Sequence, residues 1–288
     1  MKPTLGAHVS VAGGLYRGIE NGTAIGAECI QIFGASPRQW AAGLPSVEEV
    51  KKFKDAWKAS KIQSVFLHAP YLNNLASPDT VTVSKTIKNM TAHMTIANLI
   101  GATGVVFHTG SGKAEGIKER EASLQKAVAT MKEILKNSPG ETKLVIENVA
   151  GGGARLAATP SEIGQMIDLC NDKRVAVCYD TAHGFEAGLV KEYTQESVKK
   201  LFDDFEKAVG CERIVAIHAN DSKTAFDSHH DRHENIGQGF IGKKAFEYLA
   251  AEPRLAHTHW FLEVPGYDGL GPDKKNMEVL KECRKVEK

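Results

Sequence analysis

Histidines and carboxylates are concentrated in one stretch of the sequence, residues 217–239. Apolar runs flank this stretch at residues 213–218 and 245–249, so its polar groups lie between segments that would form a core. Such groups are costly to bury unless something binds them together, and imidazole nitrogen and carboxylate oxygen both suit zinc. The stretch therefore predicts a divalent metal site, built from members of the set His218, Asp221, Asp227, His229, His230, Asp231 and His233.

A short apolar, β-branched run followed by a longer segment of helical periodicity recurs along the chain. Strands are predicted over residues 4–9, 29–33, 64–68, 104–108, 143–148, 175–179, 214–218 and 258–264. Between and after them, helices are predicted over residues 47–59, 81–100, 117–136, 160–169, 196–209, 243–251 and 273–285. Strand and helix alternating in this way is typical of an α/β fold, the (β/α)8 or TIM barrel, whose active site lies at the C-terminal ends of the strands.

An open, doubly wound sheet is the competing architecture. Its dinucleotide fingerprint G-x-G-x-x-G is missing after the first strand, where residues 8–14 read HVSVAGG. We therefore favour the barrel and expect no nucleotide cofactor. No linker, charge block or low-complexity tract divides the chain, so residues 1–288 are predicted to form a single catalytic domain.

The composition is that of a soluble globular protein, with 42% hydrophobic and 25% charged residues. The formal net charge is +1, so a polyanionic partner would have to be held by a local patch or by metal ions. The five cysteines show no CxxC spacing, which favours reduced core residues over zinc thiolates or disulfides. No apolar run is long enough to span a bilayer, and the amino terminus leads directly into a strand-like segment. We expect a cytoplasmic protein without membrane contact.

Metal-binding side chains follow most of the predicted strands, where a barrel places its active site. A single histidine at a strand end is most often a surface or hydrogen-bonded residue, so only the coincidence of several is informative. His93 in a helix, and His257 and His259 at the opposite end of the last strand, fall outside this pattern and are predicted to be structural. The candidate ligands are His68, His108, Glu147, Asp180, His183, His218, Asp231, His233 and Glu263.

The spacing and number of these candidates limit their chemistry. Asp180 and His183 can diverge from one turn toward neighbouring ions, whereas Asp231 and His233 point the same way in extended backbone. Glu147 follows an apolar strand, where an unpaired carboxylate is strongly penalised, so a cation is implied and a buried arginine is the alternative. One catalytic zinc takes about three protein ligands, so the set fits a cluster of two or three ions suited to phosphate displacement.

Several motifs lie in order along the chain: GAHVSVAGG (6–14), PRQW (37–40), FHTGS (107–111), IENVAGGG (146–153), CYDTAHGF (178–185), IHANDSK (217–223) and DRHENIGQG (231–239). In order and spacing they resemble the motifs of the endonuclease IV family, which consists of zinc-dependent apurinic/apyrimidinic endonucleases. The resemblance covers nearly the whole chain. Departures from the family pattern occur at Pro37, Ala182, Gln238 and Val264, none of which is a candidate ligand.

This resemblance implies a trinuclear zinc site. One zinc would be held by His68, His108 and Glu147, with Glu147 bridging to a second that adds Asp180, His218 and Glu263. A third ion, which could instead be Mn²⁺ or Fe²⁺, would be held by His183, Asp231 and His233. The family cleaves the phosphodiester 5′ to an abasic site, leaving a 3′-hydroxyl and a 5′-deoxyribose phosphate. The bridged pair would supply the hydroxide nucleophile, which makes Glu147 and Glu263 the predicted catalytic carboxylates, and the third ion would stabilise the departing 3′ oxygen.

The same similarity implies that the partner is double-stranded DNA with abasic sites. Arg38 would enter the DNA stack or minor groove, and Tyr71 and Leu72 of HAPYLNNL (68–75) would help to hold a kinked duplex. Lys223 and Arg232 are candidates for phosphate contacts, with a solvated or ion-paired surface role as the alternative. Enzymes that clamp DNA in this way can act as monomers, and a monomer is expected.

Two other functions stay open at this point. A metal-dependent sugar isomerase or epimerase on the same barrel would resemble this chain at Glu147, Asp180, His218 and Glu263 but would not need the other candidate ligands. A non-catalytic DNA-damage-binding protein would not need to keep three ions. The complete ligand set favours phosphodiester hydrolysis over both.

Overall fold

Parallel strands close into a barrel in the computed structural model, which describes residues 2–113 and 116–285. The barrel strands are β1 (Thr4–His8), β2 (Cys29–Phe33), β3 (Ser64–His68), β4 (Gly104–Phe107), β5 (Lys143–Glu147), β6 (Val175–Asp180) and β7 (Ile214–His218), and, after the short antiparallel pair β8 (Asp221–Ser222) and β9 (His233–Glu234), β10 (His259–Leu262). β1 closes the ring against β10, with Thr4 beside His259 and Ala7 beside Leu262. The predicted (β/α)8 barrel is therefore confirmed.

Helices alternate with the strands and pack around the barrel. They are α1 (Tyr16–Ala24), α2 (Val47–Ala59), α3 (Thr80–Ile100), α4 (Ile117–Asn137), α5 (Pro160–Cys170), α6 (Thr181–Glu186), α7 (Gln195–Ala208), α8 (Lys243–Ala250) and α9 (Lys274–Lys285). The sequence did not predict α1 or α6. Helix α6 has only six residues, too few for a periodic signal. Helix α1 contains Gly18 and Gly22, and a Cβ atom at Gly22 would lie within 2.3 Å of the Ile30 side chain. These glycines therefore allow α1 to pack closely on β2.

The barrel interior is a packed core. At the amino-terminal ends of the strands, Nδ1 of His259 lies 2.7 Å from Thr4 Oγ1 and 2.9 Å from Ser64 Oγ, which agrees with a structural role for this histidine. Above this level lies an apolar layer of Cys29, Phe66, Val106, Val145, Ala176, Cys178, Ala216 and Phe261. The polar groups at the other end of the barrel therefore rest on a layer that excludes water from below.

Five barrel strands end on a residue able to bind a proton or a metal. They are His8, His68, Glu147, Asp180 and His218. His108 and Glu263 follow β4 and β10 directly. Because all strands of a parallel barrel end at the same rim, these side chains come together although they are far apart in sequence.

Two predictions made from composition concern the state of the cysteines and the presence of membrane-spanning helices. All five cysteines are buried and unpaired, as expected for reduced core residues. No helix within the described ranges combines the length and the apolar character needed to cross a membrane.

Candidate metal centre

Glu147 lies at the centre of the strand-end cluster and is completely buried. Its Oε2 atom is 3.0 Å from Nε2 of His68 and 3.0 Å from Nε2 of His108. Its Oε1 atom is 2.9 Å from Nδ1 of His218 and 3.3 Å from Nδ1 of His183. The two oxygens of one carboxylate thus face different sets of histidines, an arrangement suited to a carboxylate shared by two cations.

Backbone carbonyl oxygens fix the orientation of two histidine rings in this cluster. Nδ1 of His68 donates to the carbonyl oxygen of Ala69 at 2.7 Å, and Nδ1 of His183 donates to that of Asn148 at 2.8 Å. A carbonyl oxygen can only accept, so in a neutral ring the proton is on that side and the other nitrogen carries a lone pair. For His68 the lone pair faces Glu147 Oε2, which is also an acceptor. A positive charge, either a second proton or a metal ion, is therefore needed between them.

Gln31, a buried residue of β2, orients His218 in the same way. The ionised Glu263 can only accept, so Gln31 donates from Nε2 to Glu263 Oε1 at 2.6 Å, which turns the amide oxygen toward His218. Nε2 of His218 donates to that oxygen at 2.9 Å and leaves Nδ1 free. This Nδ1 lies 3.3 Å from Glu263 Oε2 and 3.7 Å from Asp180 Oδ2, in addition to its contact with Glu147. Three carboxylates thus converge on one imidazole nitrogen, a donor set suited to a divalent ion.

A second cluster lies around His183 and His233. Nε2 of His183 is 3.3 Å from Asp231 Oδ2, and Nε2 of His233 is 3.5 Å from Asp231 Oδ1 and 3.6 Å from Asp180 Oδ2. His233 is oriented by its Nδ1, which donates to the carbonyl oxygen of Glu263 at 3.3 Å. Both Nε2 atoms are buried and have no partner of hydrogen-bond geometry within the described ranges. Buried imidazole nitrogens left without a partner beside carboxylates fit a bound cation.

The carboxylates and the imidazoles of the cluster shift one another's pKa values. Burial alone would raise the pKa of Glu147, but the imidazoles of His218 and His108 outweigh it and hold that pKa well below its ordinary value. Burial alone would lower the pKa of His183, but Asp180 and the other carboxylates around it raise that pKa well above its ordinary value. Without metal, protons on the imidazoles therefore balance ionised carboxylates. Metal binding would displace these protons.

Four groups of side chains place donor atoms within 4.8 Å of one another. The groups are His68–His108–Glu147, Glu147–Asp180–His218–Glu263, Asp180–His183–His233 and His183–Glu186–Asp231. Each candidate ligand from the sequence occurs in at least one of them. Since imidazole nitrogen combined with carboxylate oxygen is a donor set of zinc and similar ions, the residues fit the metal cluster that the sequence predicts.

Three contributors to this site were missed in the sequence. Gln31 is uncharged, and its only signal was a polar residue within the apolar strand CIQIF. Glu186 comes three residues after His183 and shares a helix face with it, a signal that could have been recognised. Asn220 donates from Nδ2 to Asp180 Oδ2 at 2.7 Å, and its Oδ1 accepts from the backbone nitrogen of Glu263 at 2.8 Å.

The remaining histidines differ in their contacts. Nδ1 of His8 lies 3.1 Å from Glu263 Oε1, so His8 borders the cluster. His229 is exposed and donates from Nδ1 to a backbone carbonyl at 3.2 Å, and His230 is exposed. His93 is buried and donates from Nδ1 to a backbone carbonyl of its own helix at 2.9 Å, which agrees with a structural role.

The residues predicted to contact DNA lie in loops that follow the C-terminal ends of strands, at the same end of the barrel as the cluster. Tyr71 is 66% exposed, and Leu72 beside it is half-buried. The cationic side chains Arg38, Lys223 and Arg232 are exposed. This end of the barrel therefore presents an aromatic ring and several cations around the candidate metal centre.

Known proteins resemble this chain in sequence and in fold. The family described as xylose isomerase-like TIM barrel matches residues 19–283. The probable endonuclease 4 of Halothermothrix orenii is 34% identical over 278 residues, which cover 96% of this chain and 99% of that protein. A crystal structure of endonuclease IV from Thermus thermophilus matches with a TM-score of 0.85 at 30% identity, covering 98% of each chain.

A D-tagatose 3-epimerase-like protein also matches, with a TM-score of 0.70 over 97% of this chain and 96% of that one. Its identity is 18%, so this likeness shows a common fold and nothing more. The full-length similarity to endonuclease 4 proteins extends to sequence as well as fold. The chain therefore belongs to the endonuclease IV family of AP endonucleases.

Proposed function

We propose that this protein is a DNA-repair endonuclease that hydrolyses the phosphodiester 5′ to an abasic site in duplex DNA, leaving a 3′-hydroxyl and a 5′-deoxyribose phosphate. The observation that carries the proposal is the position of Glu147, whose two oxygens face separate histidine sets at 2.9 to 3.3 Å. A carboxylate shared between two cations is suited to centres that clamp the attacking and leaving oxygens of a phosphate displacement.

The proposed centre binds three Zn²⁺ ions per chain, with Mn²⁺ or Fe²⁺ as an alternative at the third position. Its ligand sets are His68–His108–Glu147, Glu147–Asp180–His218–Glu263 and His183–Asp231–His233. When bound, the ions would provide a nucleophile at neutral pH and neutralise charge that develops on the phosphate oxygens.

The chain itself contributes orientation and the exclusion of water. Glu147 and Glu263, the proposed catalytic carboxylates, are held against His218, and Gln31 fixes both His218 and Glu263. The phenyl rings of Phe66 and Phe261 lie in the apolar layer of the barrel interior. A site built in this way is preorganised before substrate binds.

DNA would be contacted by loops around this centre. With a net charge of only +1, the chain would rely on bound cations for most of the positive charge at the phosphate. Arg38, Tyr71 and Leu72 would occupy the distorted duplex at the abasic site, and Lys223 and Arg232 would contact phosphates. We further propose that residues 1–288 act as one domain, as a monomer, in the cytoplasm.

Incubation of the zinc-loaded protein with a duplex carrying one abasic analogue tests this function. We expect one incision at the abasic position in the absence of magnesium, and no incision of the undamaged duplex of the same sequence. Selective binding without incision would favour a damage-binding protein. Epimerisation of a ketose without incision would favour a sugar enzyme, and either result would overturn the proposal.

A further inference from the structure

Glu186 is a fully buried carboxylate at the end of α6, three residues after His183. Its Oε1 atom accepts hydrogen bonds from Ser222 Oγ at 2.7 Å and from the backbone nitrogen of Arg232 at 3.3 Å. Its Oε2 atom is buried and has no hydrogen-bond partner within the described part of the chain. One oxygen of this carboxylate is therefore fixed and the other is unused.

Glu186 also joins the second cluster of the metal centre. Glu186, His183 and Asp231 place donor atoms within 4.8 Å of one another. The Nε2 atoms of His183 and His233 are buried without a hydrogen-bond partner, like Oε2 of Glu186. Unpartnered donor atoms on neighbouring side chains are unusual in a folded protein, and an ion is one of the recognised explanations.

Nothing else in the described ranges balances the charge of Glu186. No lysine or arginine side chain there forms an ion pair with it, and burial raises the pKa of this carboxyl above its ordinary value. Asp231, which is also a carboxylate, lies 3.3 Å from His183. Burying a carboxylate without a compensating charge is strongly unfavourable. The bond to Ser222 accounts for Oε1 but leaves Oε2 unexplained.

We propose that Glu186 is an additional ligand, through Oε2, of the ion held by His183, Asp231 and His233. This proposal rests on the metal centre of the proposed function. Two carboxylates and two imidazoles form a harder and more negative donor set than one carboxylate and two imidazoles. The ion at this position is therefore bound more tightly, and Mn²⁺ competes better for it, than the three-residue set alone would allow.

Ion binding by Glu186→Gln tests the assignment. This substitution removes the charge but keeps the shape and the oxygen that accepts from Ser222. Glu192→Gln, the same change at an exposed glutamate in the loop after α6, is the matched control. The unaltered protein and both variants are loaded with Zn²⁺ or Co²⁺, and bound ions are counted at increasing concentrations of a competing chelator. The visible spectrum of bound Co²⁺ reports the ligand set independently of activity.

We expect Glu186→Gln to bind one ion about tenfold or more weakly and to change the Co²⁺ spectrum, while Glu192→Gln matches the unaltered protein. Unchanged ion affinities and an unchanged spectrum in Glu186→Gln would overturn the proposal. If circular dichroism finds Glu186→Gln unfolded, Glu186→Ala is judged by the same criterion.

Incision of abasic DNA, measured in parallel, separates this proposal from the proposed function. Incision by the unaltered protein together with unchanged ion binding in Glu186→Gln would remove only the role of Glu186. Loss of an ion in Glu186→Gln without any incision by the unaltered protein would remove only the endonuclease function.

Discussion

Nδ1 of His218 lies 2.9 Å from Oε1 of Glu147, while the opposite nitrogen of the same ring donates its proton to Gln31. Both side chains are completely buried, and a nitrogen lone pair and a carboxylate oxygen at this distance need a positive charge between them. The charge must come from a second proton on the ring or from a metal ion. The relationship between these two residues therefore links the proposed metal binding, the pH dependence and the proposed activity of the protein.

Replacing Glu147 by Gln should reduce incision by on the order of 10³-fold. A neutral amide has only one acceptor oxygen and no charge, so it cannot be shared by two cations. Binding of abasic DNA should fall much less than incision, since the loops that would contact DNA are unaltered. Single-turnover incision and a binding titration measure the two effects. Glu141→Gln, at an exposed glutamate before β5, is the control. Unchanged incision would remove Glu147 from the chemistry.

Replacing Gln31 by Met should weaken binding of one ion by about 10–100-fold, the effect typical of partners that orient metal ligands. Methionine has a similar volume but cannot orient His218 or Glu263. Gln31→Glu should be more damaging, because it places a carboxylate against Glu263 Oε1 where an amide now donates at 2.6 Å. Chelator competition measures the affinity, with Gln125→Met on the exposed face of α4 as control. An affinity within twofold of the unaltered protein would contradict the orienting role.

The metal-free protein should be most stable in mildly acidic solution. The pKa of His183 is raised by neighbouring carboxylates, so its contribution to stability is complete below its ordinary pKa of 6.5 and is lost as the pH rises through the raised value. The pKa of Glu147 is lowered by its imidazoles, so its contribution is complete above its ordinary pKa of 4.5 and is lost as the pH falls through the lowered value. Thermal unfolding against pH should therefore give a maximum of the melting temperature between these ordinary values.

Bound metal should change how the melting temperature depends on pH. Because ions compete with protons for the imidazoles, the stabilisation by zinc should grow with rising pH. At a free concentration a thousandfold above its Kd, each ion adds about 4 kcal/mol to the free energy of unfolding. Melting curves of loaded and metal-free protein should separate above neutral pH and converge in acid. Parallel curves across the pH range would contradict the charge balance described for the cluster.

Replacing Tyr71 by Ala should lower the affinity for abasic duplex about tenfold or more, consistent with about 1–3 kcal/mol for one aromatic ring stacked on a base. Tyr71 is 66% exposed, so the fold should lose little stability. Leu169→Ala, at a 41% exposed position near the carboxyl end of α5, is the control at the opposite end of the barrel. Equal affinities of the two variants would argue against a DNA contact by Tyr71.

Much of the fold and of the candidate site could be predicted because, in a barrel, the position of a residue along the alternating pattern determines where it lies in the structure. Alternating strands and helices give the strand ends, and strand ends of a parallel barrel share one rim. Glu147 and His218 are 71 residues apart in sequence but in direct contact for this reason. Their residue types then suffice to indicate a metal centre.

Other features of the site depend on contacts that sequence pattern does not encode. Gln31 carries no charge, and its role arises only from the pairing of its amide with His218 and Glu263 across the barrel. The resemblance assigns Asp180 to one ion, yet its Oδ2 also lies 3.6 Å from Nε2 of His233 in the other cluster. Glu186 lies in α6, which is too short to be predicted from periodicity, so its spacing of three residues from His183 is the only sequence signal that points to it.

The most direct test of the central claim is end mapping of the products from a duplex with one abasic analogue, treated with zinc-loaded protein in the absence of magnesium. A single cut on the 5′ side that leaves an extendable 3′-hydroxyl and a 5′-phosphate on the abasic analogue is the predicted result. A cut on the 3′ side, or no cut by protein verified to contain its metal, would contradict the account.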